Sequence, residues 1–183
     1  MRGPSIEAPV DAPVLHTERL LLRPHHVSDA ERWFELQSIP AVRKYTVWPI
    51  RSRRSSLRHL KLRTQRTKLH YVDDFLALAV EHNGELVGDV GMQLRSVSAA
   101  ARCLEVSWMI HPDHQGKGFA YEATRAVLEF MIANVGALLI VAVVHPSNAA
   151  SVALAHKLNL HPLPGAVDQT IFVGTDASVN ARQ

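Results

Sequence analysis

The sequence is poor in the residues from which disulfide frameworks, metal sites and membrane spans are built. It contains one cysteine, Cys103, which excludes an intramolecular disulfide and a cysteine-rich zinc site, and which we expect to be a buried apolar side chain. The pairs His25-His26 and His111-x-x-His114 lack a third ligand at suitable spacing, so no metal site is predicted. The longest apolar run, residues 135–144, has ten residues, about half of what a membrane-spanning helix requires. We therefore expect a cytoplasmic protein without membrane contact.

The chain also lacks a linker that would divide it into several domains. At about 150 residues per domain, its 183 residues predict a single domain, which we place at residues 14–175. Residues 1–13 are rich in proline and acidic residues and lack the apolar core of a signal peptide, so we expect a disordered lead-in. Residues 176–183 are expected to form a flexible tail.

Negative charge is absent from residues 51–68, which we call the basic segment. The segment contains eight lysines and arginines and no aspartate or glutamate. The net charge of +3 conceals it, because the remaining 12 basic residues are outnumbered by 17 acidic ones. The segment either attracts an acidic partner or ribosomal RNA, or forms a solvated helix that packs Leu57, Leu60 and Leu62 inward.

Hydrophobic patterning predicts an α+β protein with helices packed on one sheet. Asn83 and Gly84 favour the positive φ angles of a tight hairpin between two strands. The uninterrupted apolar stretch at 137–144 is typical of a strand buried on both faces. Strands are predicted at residues 14–23, 74–81, 85–95, 102–111, 137–144 and 169–173. Helices are predicted after residue 28 and at 55–67, 118–133 and 148–158.

A glycine-rich loop between a strand and a helix is the strongest chemical signal. The strand that ends at His111 is followed by the sequence Gln115-Gly116-Lys117-Gly118-Phe119-Ala120, where a helix begins. Glycines allow close backbone approach, the helix N-terminus is partially positive and Lys117 adds a full charge, which suits a phosphate ligand. A plain connection is the alternative. The Walker pattern fails because Gly118 follows Lys117, and the Rossmann pattern fails because Tyr121 replaces its third glycine.

Several motifs, in chain order, resemble those of the GNAT N-acetyltransferases, particularly the branch that acetylates ribosomal-protein N-termini. The pattern Gln115-x-x-Gly118-x-Ala120 is similar to the pyrophosphate loop of that family. The other motifs are residues 17–24 at the opening strand, 105–110 at the fourth strand, His145-Pro146-x-Asn148-x-x-Ser151 after the fifth strand, and His156-Lys157-Leu158. The resemblance covers about residues 14–175, and several motifs in register are more specific than any one of them.

The resemblance implies a mixed, mostly antiparallel sheet, flanked by helices and splayed between its fourth and fifth strands, where acetyl-CoA lies. The backbone of Met109, Ile110 and His111 would pair with the pantetheine arm. Asn148 would hydrogen-bond the pantetheine or the reacting end, with Ser151 nearby, although a helix N-cap is the alternative role for Asn148. The pyrophosphate would be held by the N–H groups of Gln115, Gly116, Lys117, Gly118, Phe119 and Ala120.

Glu105 is the catalytic candidate, because it is a carboxylate on an otherwise apolar strand near the implied acetyl-CoA site. Transfer to an amine at neutral pH requires a base or a water relay that removes a proton. The alternative is a structural carboxylate that pairs with Arg95 or Arg102. A general acid is left unassigned, because Ala155 stands where many relatives carry a tyrosine. Asn159 replaces a family glycine and is expected to adopt the left-handed conformation.

Together these residues predict an acetyl-CoA-dependent N-acetyltransferase that acts by direct transfer on a primary amine of a protein N-terminus or a small molecule. The missing tyrosine favours an alternative, a non-catalytic acyl-CoA-binding or sensor module, and the basic segment favours a third, nucleic-acid binding. The acceptor is expected to be acidic or ribosome-associated, and a homodimer is left open. Trp33, Trp48 and Tyr45 are candidates for the core or for the walls of the acceptor site.

Overall fold

The computed structural model describes residues 3–46, 48–163 and 169–180, which form ten strands and six α-helices. The strands are β1 (Ser5–Asp11), β2 (Leu15–His16), β3 (Leu21–Pro24), β4 (Lys68–Tyr71), β5 (Phe75–His82), β6 (Glu85–Ser96), β7 (Cys103–Ile110), β8 (Leu139–Val144), β9 (His161–Pro162) and β10 (Thr170–Thr175). The helices are α1 (Ala30–Ser38), α2 (Pro40–Arg43), α3 (Arg53–Gln65), α4 (Phe119–Val135), α5 (Ala149–Lys157) and α6 (Asp176–Asn180). None of these helices is long and apolar enough to cross a bilayer.

Eight of the strands form one sheet in the order β2-β3-β5-β6-β7-β8-β10-β9. Neighbours run antiparallel except β7 and β8, which run parallel and pair only from Cys103, opposite Leu139, to Glu105, opposite Val141. Both strands continue beyond this point without pairing to each other, so the sheet opens there. The predicted α+β fold is confirmed, and β7 and β8 are the fourth and fifth strands between which the splay was expected.

Alternation along β7 directs its side chains toward two layers of helices. Leu104, Val106 and Ile110 are buried in the main core together with the apolar face of α4. Met109, on the other face, packs against a second cluster that α1 and α3 build around Trp33. The opening in the sheet therefore lies between α4 on one side and α1 and α3 on the other.

The expectations of a disordered lead-in and a flexible tail are wrong for most of their length. β1 pairs antiparallel with β4, with Val10 opposite Leu69, and Ile6 is buried in the main core. The tail forms α6, whose Val179 is buried against the same core. Local composition misses both segments because distant apolar surface and a distant strand order them. Residues 181–183 lie outside the described residues, and the domain bounds 14–175 stay a prediction.

Two strand predictions also differ from the structure. Residues 14–23 were expected to form one strand but contain two short antiparallel strands, β2 and β3. Residues 137–144 were expected to be buried on both faces, but β8 is buried on one face only, because Val143 is exposed while Val144 is buried. The apolar run in β8 is therefore uninterrupted because a β-branched residue, Val143, occupies an exposed position next to the opening.

The predictions for single residues are confirmed for three backbone conformations and wrong for one side chain. Asn83, Gly84 and Asn159 have the predicted positive φ angles of 51°, 79° and 58°. Cys103 is half-buried, not fully buried as expected.

The three leucines of the basic segment do not all pack inward as expected. Leu60 is fully buried and Leu57 is half-buried, whereas Leu62 is exposed.

The contribution of β1 to stability can be measured directly. Ile6 is 3% exposed, so Ile6→Ala should lower the free energy of unfolding by about 2–4 kcal/mol, because it leaves a cavity in the main core. Val14, just beyond β1, is 58% exposed, so Val14→Ala should change that free energy by less than about 0.5 kcal/mol. Urea unfolding of the two variants tests this contrast, and equal effects would contradict the placement of β1.

Candidate active site

The opening between β7 and β8 leaves backbone groups of β7 without a strand partner. Pairing between the two strands ends at Glu105, although β7 continues to Ile110. The edge of β7 that faces β8 is therefore free of strand hydrogen bonds along this stretch, among the strands described. Trp108 Nε1 donates to Ser151 Oγ at 3.2 Å, so the first turn of α5 lies across the opening from β7. Trp108 could not be singled out from the sequence, because its partner lies in a distant helix.

Asn148 occupies the N-cap of α5. Its Oδ1 accepts a hydrogen bond from the backbone N–H of Ser151 at 3.2 Å, which is the capping role considered from the sequence. The cap and the Trp108–Ser151 contact together bring Asn148 and Ser151 to the opening. Their roles toward a ligand stay predictions.

The glycine-rich loop adopts a left-handed conformation at two glycines and leaves backbone donors unpaired among the described residues. Gly116 and Gly118 have φ angles of 73° and 82°, which only glycine adopts readily. Gly118 is the N-cap of α4, and the first N–H groups of a helix have no intrahelical acceptor. The N–H groups of Gly116 and Lys117 also have no acceptor among the described residues. A β-carbon at Gly116 would meet nothing within 4 Å, so the concave side of the loop is open.

Arg19 fixes the loop from a distant part of the chain. Its Nη1 donates to the carbonyl of Lys117 at 2.9 Å, and its guanidinium lies 4.8 Å from the ring centre of Phe119. Glu122, in the first turn of α4, holds Arg19 through an ion pair of 2.6 Å and also accepts from Thr17 Oγ1 at 2.6 Å. Arg19 therefore orients the loop and adds a second cation beside Lys117. The sequence placed Thr17 and Arg19 in a family motif but could not reveal a contact with a residue so far along the chain.

The end of β7 is tied to the loop and to β6. Gln115 Nε2 donates to the carbonyl of Ile110 at 2.8 Å, and the N–H of His111 donates to the carbonyl of Val87 at 2.8 Å. The predicted pairing of His111 with a ligand therefore cannot use its N–H group, which is already satisfied within the sheet. Met109 lies opposite Asp89 of β6, and its side chain packs on the α1 and α3 side.

Glu105 lies at the last pair of β7 and β8, where the two strands part. Its side chain is 30% exposed, and Oε2 lies 3.5 Å from Nε of Arg95, so the pairing considered from the sequence is present. Arg102, the other partner considered, instead donates to Glu7 at 2.7 Å and to the carbonyl of Val135 at 2.7 Å. Glu105 is therefore a partly exposed carboxylate, held only by a long ion pair, at the point where the strands part.

An aromatic segment, which we call the bridging segment (residues 44–46 and 48–51), contacts the residue that follows β8 and packs against the same cluster as Met109 of β7. The ring of Tyr45 lies 5.1 Å from that of His145, which directly follows β8. Trp48 packs against the second cluster, as Met109 of β7 does, and lies 6.0 Å from the ring of Trp33. Trp33 is thus a core residue, whereas Tyr45 and Trp48 form a half-buried wall at the α1 and α3 face of the opening.

A buried ion cluster lies beneath this wall. Asp89 accepts from Arg63 at 2.5 Å and contacts Nε2 of His25 at 2.7 Å, while Asp29 pairs with Arg23 at 2.8 Å. Burial alone would raise the pKa of Asp89, but the charge of Arg63 and the contact with His25 outweigh it and lower the pKa to about 2. Burial likewise opposes protonation of His25, yet its contacts with Asp29, at 3.6 Å, and with Asp89, at 2.7 Å, raise its pKa.

The fold divides the cations of the basic segment. Three have carboxylate partners, in the pairs Arg53–Glu31, Arg63–Asp89 and Lys68–Asp11. Four are exposed without a carboxylate partner in the described part of the chain, namely Arg54, Arg58, Lys61 and Arg66. The eighth, Arg51, is half-buried beside Trp48. Within residues 3–46, 48–163 and 169–180, no group of three His, Cys, Asp or Glu side chains could hold a metal ion.

Comparison with known proteins agrees with this geometry. A family model described as the acetyltransferase (GNAT) domain matches residues 19–161. The uncharacterized N-acetyltransferase p20 of Bacillus licheniformis is 26% identical over 145 residues, which cover 79% of this chain and 80% of that protein.

Solved structures share the fold at low sequence identity. An acetyltransferase of the same family from Bacillus anthracis gives a TM-score of 0.75 at 19% identity and covers 90% of this chain and 99% of that one. RimL, a ribosomal L7/L12 alpha-N-protein acetyltransferase solved in complex with coenzyme A, gives a TM-score of 0.73 at 14% identity, with 91% and 98% covered. The likeness thus extends to a ribosomal-protein acetyltransferase, as the motifs predicted.

The ion cluster predicts a specific dependence of stability on pH. The pKa of Asp89 is about 2 in the folded protein and about 3.9 in an unfolded chain, so its stabilising contribution is present above about pH 4 and is lost as pH falls through 2. This contribution amounts to about 2–3 kcal/mol. The difference in free energy of unfolding between wild type and Asp89→Asn should therefore narrow between about pH 4.5 and 2.5, in urea unfolding measured by circular dichroism. Asp73→Asn, at an exposed position, is the control, and a constant difference for Asp89→Asn would contradict the prediction.

Proposed function

Because this chain belongs to the GNAT acetyltransferase family, we propose that it transfers the acetyl group of acetyl-CoA directly to a primary amine. One observation carries the proposal: the unpaired edge of β7 is followed, after one short turn, by a loop whose N–H groups at Gly116 and Lys117 have no acceptor among the described residues. An extended polar chain that ends in a pyrophosphate needs these two features in this order. The fit therefore rests on the residues of this chain as well as on family membership.

The loop supplies the anion-binding part of the proposed site. The N–H groups from Gly116 into the first turn of α4 would donate to the pyrophosphate, supported by the partial positive charge of the helix N-terminus. Lys117 would add a full charge. Arg19, whose own charge is paired with Glu122, would hold the carbonyl of Lys117 away from the anion. The open space at Gly116 would allow the close approach that such contacts require.

The opening supplies the reacting part. The N–H of Ile110, on the free edge of β7, would bind the pantetheine arm or the thioester carbonyl. The backbone groups of Met109, like the N–H of His111, face β6, where Met109 lies opposite Asp89. Asn148 would add a hydrogen bond from the opposite side, and the Trp108–Ser151 contact would hold α5 at the required distance. Acetyl-CoA supplies an activated acetyl group, which moves from sulfur to the amine nitrogen.

Proton removal is assigned to Glu105. An amine attacks only in its neutral form, so a base or a base-linked water must take one proton for each acetyl group that is transferred. Glu105 is the carboxylate of β7, lies where the strands part and is partly open to solvent. The proton lost by the nitrogen passes to Glu105 or water, and the sulfur leaves as a thiolate that is protonated from solvent.

The function is tested by release of free thiol from acetyl-CoA in the presence of an amine panel that contains a peptide N-terminus, a polyamine and an aminoglycoside. We expect release that depends on the amine and an acetylated product of matching mass. Binding of acetyl-CoA without turnover for any amine would contradict the proposal and favour the acyl-CoA-binding module instead.

The role of Glu105 is tested by Glu105→Gln. Loss of a general base should lower kcat about 100-fold or more, with coenzyme A affinity unchanged. Asp73→Asn is the matched control, because Asp73 is the other carboxylate that pairs with Arg95, at 3.1 Å, and its loss should leave kcat near the wild-type value. Equal kcat values for wild type and Glu105→Gln would assign proton removal to water alone.

A further inference from the structure

Arg51 is the cation of the basic segment whose environment is least favourable to a charge. Its guanidinium lies 5.7 Å from the ring centre of Trp48, and its Nη1 is shielded from solvent without a hydrogen-bond partner among the described residues. Burial and the nearby charge of Arg63 lower the pKa of Arg51. A shielded, unpartnered donor beside a second cation costs free energy that the fold does not recover locally.

Carboxylates on the same side of the sheet are already committed to other cations. Asp89 binds Arg63 and His25, and Asp29 binds Arg23. On α1, Glu31 pairs with Arg53, and Glu35 pairs with Arg32 at 2.5 Å. None of these four carboxylates is therefore left for Arg51, which forms no ion pair with a carboxylate of the described residues.

Arg51 belongs to the segment that packs next to the ends of β7 and β8. It ends the bridging segment, whose Tyr45 contacts His145 after β8 and whose Trp48 shares a cluster with Met109 of β7. Ile50, the neighbour of Arg51 in the chain, is 83% exposed, so the same segment presents an apolar surface as well as the cation. An acceptor that reaches the opening from the α1 and α3 face would pass this segment.

We infer that Arg51 is a specificity residue that binds a carboxylate or phosphate group of the acceptor. The inference rests on the proposed function and extends it to a substrate class: amines that carry an anionic group, such as the N-termini of acidic peptides or aminophosphates. A planar guanidinium forms paired, charge-assisted hydrogen bonds with both kinds of anion. A polyamine offers only positive charge to Arg51 and is disfavoured.

The experiment compares acceptors that differ only in charge. The peptides Ala-Glu-Ala, Ala-Gln-Ala and Ala-Lys-Ala, all amidated at the C-terminus, are assayed as acceptors with acetyl-CoA. A second pair of acceptors, one with phosphoserine and one with serine, shows whether phosphate is preferred as carboxylate is. For the wild type, we expect kcat/KM to be at least about tenfold higher for the acidic peptide than for its neutral counterpart. In Arg51→Gln, the ratio of these two kcat/KM values should fall to about one. In Arg51→Glu, kcat/KM should be higher for the lysine peptide than for the acidic peptide.

Arg54→Gln is the matched control. It removes the same charge from an exposed position at the start of α3, so the preference for the acidic acceptor should persist. Thermal unfolding of Arg51→Gln and Arg54→Gln shows whether both variants keep the wild-type fold.

His59 provides a readout that does not depend on turnover. Burial and the charges of Arg63 and Arg51 lower the pKa of His59 to about 4. N-acetylated Ala-Glu-Ala amide carries the anion but no reactive amine, and its binding to the wild type should raise the pKa of His59 in an NMR titration. The same peptide should produce no such shift in Arg51→Gln.

The outcomes that would contradict the inference can be distinguished from failure of the proposed function. Transfer to amines without discrimination by charge, or a preference that survives Arg51→Gln, would overturn the inference while the proposed function stands. An enzyme that acetylates no amine would remove the proposed function and the inference with it. Binding of an RNA hairpin through Arg51 without any effect of the acidic peptides would overturn the assignment of an acceptor anion.

Discussion

The separation of β7 and β8 after three residue pairs is the constraint on which the rest of the molecule depends. A sheet that stayed closed would satisfy the edge of β7 and leave no place for a ligand between the two strands. Because the strands part, the loop after β7 and the first turn of α5 after β8 both end at the same opening. The contact between Trp108 and Ser151 spans it without closing it.

Different kinds of interaction stabilise the two sides of the opening. On the α4 side, the glycine-rich loop is held by directional hydrogen bonds and an ion pair of Arg19 and Glu122. Arg19 is exposed and Glu122 is half-buried. On the α1 and α3 side, buried aromatic rings cover ions that neutralise one another, centred on Asp89. An exposed cationic loop suits a donor that must bind and leave at each turnover. A rigid aromatic wall suits selection of the acceptor.

Local sequence signals predicted backbone conformations, including that of the glycine-rich loop, whereas contacts between distant segments could not be predicted from the sequence. The hairpin at Asn83, the left-handed Asn159 and the glycine-rich loop each depend on the conformational preferences of neighbouring residues, so the sequence shows them directly. The pairing of β1 with β4, and of Arg19 with Glu122, joins segments that only the completed fold brings together. Composition marked residues 51–68 as basic, but only packing separates the buried, neutralised Arg63 from the unneutralised Arg51.

The pairing of β1 also has a practical consequence for how this protein is produced. β1 lies against β4, and the N–H of Ala12 donates to the carbonyl of Thr67, so the beginning of the chain clamps the segment that leaves α3. The opposite end of α3 begins two residues after Arg51. A shortened version that starts at residue 14 would uncover β4 as a free strand edge prone to intermolecular pairing. It would also loosen the helix behind the wall formed by Tyr45 and Trp48. An affinity tag should therefore be separated from residue 5 by a linker.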